Sequence, residues 1–324
     1  MVDLSQLPDE LKNYVQQYRS ELLQQILISD QSFLKYMGLI DEVTDEIVLT
    51  EMFVNSVLQP GNKDGFTPKG GVGFKKRTGK VRPCKVDLTM KPTELTAMYK
   101  SYLGKIKSAA ARNSVYDLLF EQEIFAAIQE RVKQDLHLNA VYKGQLKSDG
   151  VNPGDTMDGL LFIIDRDINK DKNVFAGQVT TVANAIEQVE GVADLVPSHL
   201  AQQNLVAIVD PNVAKFYNRD YRTTFGGLNY NNGYEKVMID GTNTELISEP
   251  GLAGTNGIII TPRNNMVWLT NSLGKADGMT VEKSKRNIDI MMDFDAAPEV
   301  SLMEYVWMNS QVVDWVTANK ALEV

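Results

Sequence analysis

The sequence predicts an α+β protein with a charged projection, and three observations carry that prediction. First, Val115, Leu118, Phe125, Ile128, Val132 and Leu136 recur on one helical face between a Ser114/Asp117 capping box and a stop at Gly144. That pattern implies a spine helix over 114–143, about 40 Å long at roughly 1.5 Å per residue. Second, Ile288, Ile290, Met292 and Phe294 alternate with Asn287, Asp289, Met291, Asp293 and Asp295, the period of a strand with one wet face. Third, the stretch Gly61 to Leu88 is rich in glycine and strongly basic, with Asp64 and Asp87 as its only carboxylates. Such a segment buries too little apolar surface to fold on itself and is expected to project as a two-stranded extension returning over Lys80 to Leu88.

Composition narrows the function. The chain has 324 residues and a net charge of −9, enough for two lobes or one body with extensions. The negative balance argues against a general role on DNA or an anionic membrane. A single cysteine, Cys84, excludes an intramolecular disulfide and fits a reducing compartment. No apolar run reaches bilayer length and the start MVDLSQLPDEL lacks a signal pattern, so a soluble protein used without export is expected. His137 and His199 are the only histidines. Both read as structural, which removes the usual parts of a histidine triad or a Cys/His metal site.

In order along the chain, Pro8, Asp9 and Glu10 open a first helix whose apolar face is Leu11, Val15, Tyr18, Leu22 and Ile26. Its glutamine-rich opposite face fits an ordinary surface helix as well as an arm docked on another subunit. Ile47 to Leu49 reads as a short strand leading into the projection. Residues 1–59 hold ten acids against three bases, a charge of −7, and residues 60–91 hold nine bases against two acids, +7. Adjacent segments of opposite sign suggest pairing, between neighbours in a repeated assembly. The candidate interface residues are Lys69, Lys75, Lys76, Arg77, Lys80, Arg82 and Lys85. A phosphate loop is rejected because five residues separate Gly73 from Gly79 and Val81 replaces the metal-binding hydroxyl. A nucleic-acid arm has the charge but only Phe66 and Phe74 as aromatic interleaving.

Beyond the projection, Pro92 and Glu94 start a helix that Gly104 is expected to end or interrupt. After the spine, SDGVNPGD reads as a linker. It leads to a helix near Val182 to Val189, a helical turn after Pro197, and a buried strand Leu205 to Val209. Asp210 ends that strand as a magnesium-binding aspartate does in nucleotide hydrolases. Without a phosphate loop it reads as the N-cap of a short helix ending near Tyr217. Asn218 to Gly233 reads as a surface loop and Glu235 to Ile239 as a strand. Gly257 to Thr261 and Met266 to Thr270 read as a hairpin, and the final strands as an antiparallel pair turning at Ala297-Pro298. Asp289, Asp293 and Asp295 could hold a metal, though alternation alone accounts for them.

This order of parts resembles the major capsid proteins of tailed bacteriophages, the Hong Kong 97-type fold. Two passages carry most of the likeness: GIIITPRNNMVWLTN, and VEKSKRNIDIMMDFDAAPEVSLMEYVWM. More loosely, the chain is similar to capsid proteins of crAss-like phages. The resemblance implies an N-terminal arm (1–59), an extended loop (60–90), a peripheral domain with the spine helix (91–149 and 275–310) and an axial domain (150–274 and 311–324). It implies a structural, non-enzymatic role without cofactor: hexamers and pentamers of the chain itself, closing into an icosahedral shell around double-stranded DNA without sequence-specific binding. Portal, scaffold and auxiliary capsid proteins are the implied partners, no membrane is involved, and the implied location is the virion after assembly in the host cytoplasm. The alternatives from other classes are a nucleotide-dependent enzyme built on the Leu205 to Asp210 strand and a non-specific DNA-binding protein using the basic loop.

Overall fold

A computed structural model describes residues 7–28, 31–58, 69–111, 120–225, 237–272, 278–285 and 287–321. The C-terminal alternation forms a single 14-residue strand, β12 (Asn287–Val300 in chain order), around which one sheet is built. The earlier strands are β1 (Gly38–Ile40), β2 (Glu46–Val54), β3 (Val72–Lys80), β4 (Arg82–Met90), β5 (Val174–Phe175), β6 (Leu205–Val209), β7 (Val237–Met238), β8 (Glu245–Ser248), β9 (Ile258–Pro262), β10 (Met266–Thr270) and β11 (Met279–Ser284), and β13 (Trp307–Asn309) follows. The helices are α1 (Leu7–Leu27), α2 (Pro92–Ala111), α3 (Phe120–Asp135), α4 (Leu160–Asp167), α5 (Lys170–Asn173), α6 (Ala185–Ala193), α7 (Pro211–Phe225) and α8 (Ser310–Ala321). A five-stranded sheet has the order β1-β10-β12-β11, with β4 also on β12, and a six-stranded sheet has the order β5-β13-β9-β6-β8-β7. The pair β2-β3 stands apart as a two-stranded ribbon.

The larger core lies between the five-stranded sheet and one face of the six-stranded sheet, and a second core lies on the opposite face of the six-stranded sheet. Ile288, Ile290, Met292 and Phe294 of β12 point inward and join α1 and α3 in the larger cluster, where Leu11, Leu23, Ile26, Phe125 and Trp268 are fully buried. The first helix therefore lays its apolar face on its own chain, against α3 and β11. At about 25 cal/mol per Å² of apolar surface, a buried leucine or isoleucine contributes about 1.5–3 kcal/mol, so this stripe and not helix propensity holds α1. Around the second sheet, β6 is buried throughout and α6 and α7 cover it with Val189, Val192, Val213 and Tyr217.

Local structure departs from the sequence expectations at identifiable places. The described part of the spine is α3 followed by a π-helical turn at Leu136–Ala140, and the stop at Gly144 holds, its N–H on the Ala140 carbonyl at 3.0 Å. Ser114 and Asp117, the expected capping box, lie outside the described residues. Gly104 does not end α2: no atom crowds the position, and Tyr99 and Tyr102 hold the helix to Phe120 at ring distances of 5.3 Å. α7 continues past Tyr217 through the first part of the expected loop, because Tyr217, Tyr221 and Phe225 repeat at helical spacing and stack on one another. The rest of that loop, 226–233, lies outside the described residues, as does the start of the expected strand at Glu235.

Strand pairing supplies the larger corrections. The returning strand of the projection is β3, paired with β2 from Glu46↔Lys80 to Val54↔Val72, whereas most of the expected return strand is β4, laddered to β12. The alternation of Cys84, Val86, Leu88 and Met90, which face Phe294, Met292, Ile290 and Ile288, fits β4 to the sheet. β9 and β10 are not a hairpin: they belong to different sheets, and the turn Pro262 to Asn265 carries the chain between them. Both are buried almost end to end, so neither shows the alternation that would have assigned its partner. No turn occurs at Ala297-Pro298. Past Ala296, β12 pairs with β10 alone, an edge setting in which a strand tolerates proline. The final strand β13 joins the other sheet.

Candidate subunit interface

The β2-β3 ribbon has two unlike faces set by the period of a strand. On one, Gly79 and Arg77 lie against the chain's own body. A Cβ at Gly79 would sit 2.6 Å from Leu269 Cδ1 and 3.3 Å from Glu299 Cγ, so this close approach requires glycine. Arg77 donates from Nε to Glu299 at 2.9 Å and from Nη2 to Asp167 at 2.7 Å. Burial raises the Asp167 carboxyl, but hydrogen bonds from Arg166 and Arg77 outweigh it and hold the group below the ordinary aspartate value. Lys75 pairs with Glu304 and Lys80 with Asp45 at 3.2 Å. On the other face, Val72, Phe74 and Val48 are 59%, 61% and 51% exposed, and Lys76 stands beside them.

The structure thus brings Lys75, Lys76, Arg77 and Lys80 onto the ribbon strand β3, places Lys69 just before it, and leaves Arg82 and Lys85 on β4 in the sheet. Lys69 donates to the Leu58 carbonyl at 2.6 Å, and Lys85 to Asp87 at 2.9 Å, which raises the lysine above its ordinary value. Lys76 and Arg82 have no partner among the described residues. Part of the opposite charge of the first two segments is spent inside the chain, as the pair Lys80–Asp45 records. Sequence reasoning missed Asp167, Glu299 and Glu304, because no local spacing links Arg77 or Lys75 to residues so distant in the chain.

A groove of about 1190 Å³ opens between α3 and β4, closed at one end by the loop 146–156. Val86, Leu88, Ile128 and Leu136 are among its apolar lining, and five carboxylates, Asp293 and Asp295 among them, line it together with Lys85, Arg131 and Lys147. Asp295 is buried rather than on a wet face, and among the described residues no group of three or more His, Cys, Asp or Glu side chains is placed to hold a metal. Among them, too, no helix is long and apolar enough to cross a membrane.

Asp210, the residue on which the enzyme alternative rests, is 1% exposed. Its Oδ1 accepts from Asn212 N at 2.8 Å, the N-cap bond, and its Oδ2 accepts from Thr255 N and Asn256 N at 3.0 Å each. The carboxylate is committed to tying the start of α7 to the loop before β9.

No protein-family model matches the sequence, and no curated protein matches it. Solved structures do match. A chain of the satellite phage P4 procapsid including size determination (Sid) protein superposes with a TM-score of 0.55 at 15% identity, covering 91% of this chain and 98% of its own. A chain of the cyanophage A-1(L) capsid asymmetric unit superposes with a TM-score of 0.54 at 11% identity, covering 86% and 92%.

Proposed function

The chain has the α+β Hong Kong 97-type capsid fold, and from that premise we propose that it is the structural subunit of an icosahedral phage shell. Copies associate as hexamers and pentamers and enclose double-stranded DNA, with portal, scaffold and auxiliary proteins as further partners, in a virion assembled in the host cytoplasm. The observation that carries the reading is the ribbon. Its root is fixed by Arg77 between Glu299 and Asp167, while its outer face presents Val72, Phe74 and Lys76, which has no partner among the described residues, to solvent. An apolar and basic surface on a projecting ribbon fits a second copy, and the groove between α3 and β4, with Asp293 in its lining, is the surface we assign to receive it. In this reading the five-stranded sheet belongs to the peripheral lobe and the six-stranded sheet to the axial lobe, which moves β10 out of the expected axial range, β13 out of the expected peripheral range and β4 out of the expected extended loop. The net charge of −9 suits the inside of such a shell, since packed DNA must move past the wall without adhering.

Electron microscopy and sedimentation of the purified chain, alone and co-expressed with a scaffold, test the proposal. Closed particles of megadalton mass are expected. A chain that stays monomeric in both settings, or that hydrolyses ATP, overturns it.

A further inference from the structure

The structure places a buried carboxylate where the two sheets meet. Glu249 is 2% exposed and accepts hydrogen bonds from the Tyr36 hydroxyl, from His137 Nε2 and from Gly251 N, the last at 2.9 Å. Tyr142 OH lies 2.5 Å from Tyr36 OH, so donation runs from Tyr142 to Tyr36 to Glu249. The other ring nitrogen of His137, Nδ1, lies 3.4 Å from Ser32 Oγ, a bond whose direction follows the protonation of the ring. No lysine or arginine pairs with Glu249 among the described residues.

These donors come from separate parts of the chain. Ser32 and Tyr36 lie between α1 and β1, His137 sits on the π-helical turn that ends α3, and Gly251 follows β8. The same 32–37 segment is tied to the β9-β10 crossing: Asn264 N donates to the Tyr36 carbonyl at 2.9 Å, and Arg263 Nη1 to the Lys35 carbonyl at 3.1 Å. The packing leaves no slack, since a Cβ on Gly251 would lie 2.3 Å from the Tyr142 ring.

We propose that Glu249 and its donors form a conformational lock at the junction of the sheets, one that holds segment 32–37, the end of α3 and the loop after β8 together and releases them together. A buried anion that loses one donor keeps its full desolvation penalty, whereas removing anion and donor together relieves it. The members of such a network therefore act as a unit. The lock goes beyond the shell reading and does not depend on it.

Hydrogen exchange on the full chain tests it with Glu249→Gln, Tyr36→Phe and the double variant. In Glu249→Gln the amides of Met37, Val141 and Leu252 should all exchange about ten-fold faster and in parallel, while those of β6 stay unchanged. Tyr36→Phe alone should accelerate exchange more than the double variant does. Acceleration confined to Leu252 and its neighbours, or strictly additive effects, overturns the lock. Should Glu249→Gln fail to fold, His137→Gln, which keeps a donor, and His137→Leu, which does not, replace it. Equal protection of all three segments in those two variants likewise overturns the proposal.

Discussion

At the scale of single residues, burial raises the proton affinity of the Cys84 thiol and of several tyrosines. Burial, aided by the nearby Asp295 charge, pushes the Cys84 thiol from its ordinary 9.0 up to about 12. Burial also raises the Tyr217 hydroxyl to about 12, and Tyr36 and Tyr142 rise well above 10 next to Glu249. The unfolded chain gives up these protons first, so the folded state binds more protons in between. The stability tied to Cys84 is whole below pH 9 and is lost as the pH climbs toward 12. The slope per group is at most about 1.4 kcal/mol per pH unit. Urea midpoints measured against pH should fall across this window, and Cys84→Ala should flatten the fall. An unchanged slope in that variant would mean that the thiol ionises freely in the folded chain.

Among elements, the ribbon separates two jobs that look alike in sequence. Lys76 and Arg77 are adjacent basic residues, yet strand alternation turns Lys76 to solvent and Arg77 onto Glu299, whose side chain is 9% exposed. Arg77→Glu should cost on the order of 2 kcal/mol or more, between an exposed pair at about 0–1 and a buried one at about 3–5. Lys76→Glu should leave stability within about 0.5 kcal/mol and weaken association between copies. Thermal melts of the monomer and sedimentation at low and high salt check both. Equal melting temperatures would contradict the Arg77 assignment, and unimpaired association at low salt the Lys76 one. The ribbon was legible as a basic, glycine-rich excursion. Its pairing was not, because β2 lay in the acidic segment before it and the pattern of Lys80 to Leu88 fits a sheet as well as a ribbon. The seven basic candidates were likewise visible by charge, but which of them face solvent depends on a register that composition does not encode.

For the whole molecule, the order of parts was legible where a period was sustained, in β12 and in the stripe Phe125, Val132 and Leu136, while the run Leu205 to Val209 was legible as a buried strand without its partners. It failed where strands are buried on both faces, as at β9 and β10, since a continuous apolar run names no partner. The buried cluster on Glu249 had no sequence signal at all, because the three stretches that carry Tyr36, His137 with Tyr142, and Glu249 lie more than a hundred residues apart.

The divergence of β9 and β10 into different sheets has a consequence for integrity. The chain passes from the first sheet to the second after α3, returns at Pro262 to Asn265, and passes over again between β12 and β13. A cut at the first crossing leaves its two fragments joined by the ladders β1-β10 and β4-β12, each of which pairs a strand before the cut with one after it. The exposed run 146–153 includes Lys147, a trypsin site. A chain nicked there should run as two fragments on a denaturing gel yet elute as one intact species under native conditions, whereas separation on the native column would contradict the topology. Such a subunit behaves like stitched cloth: a single broken thread does not open the seam.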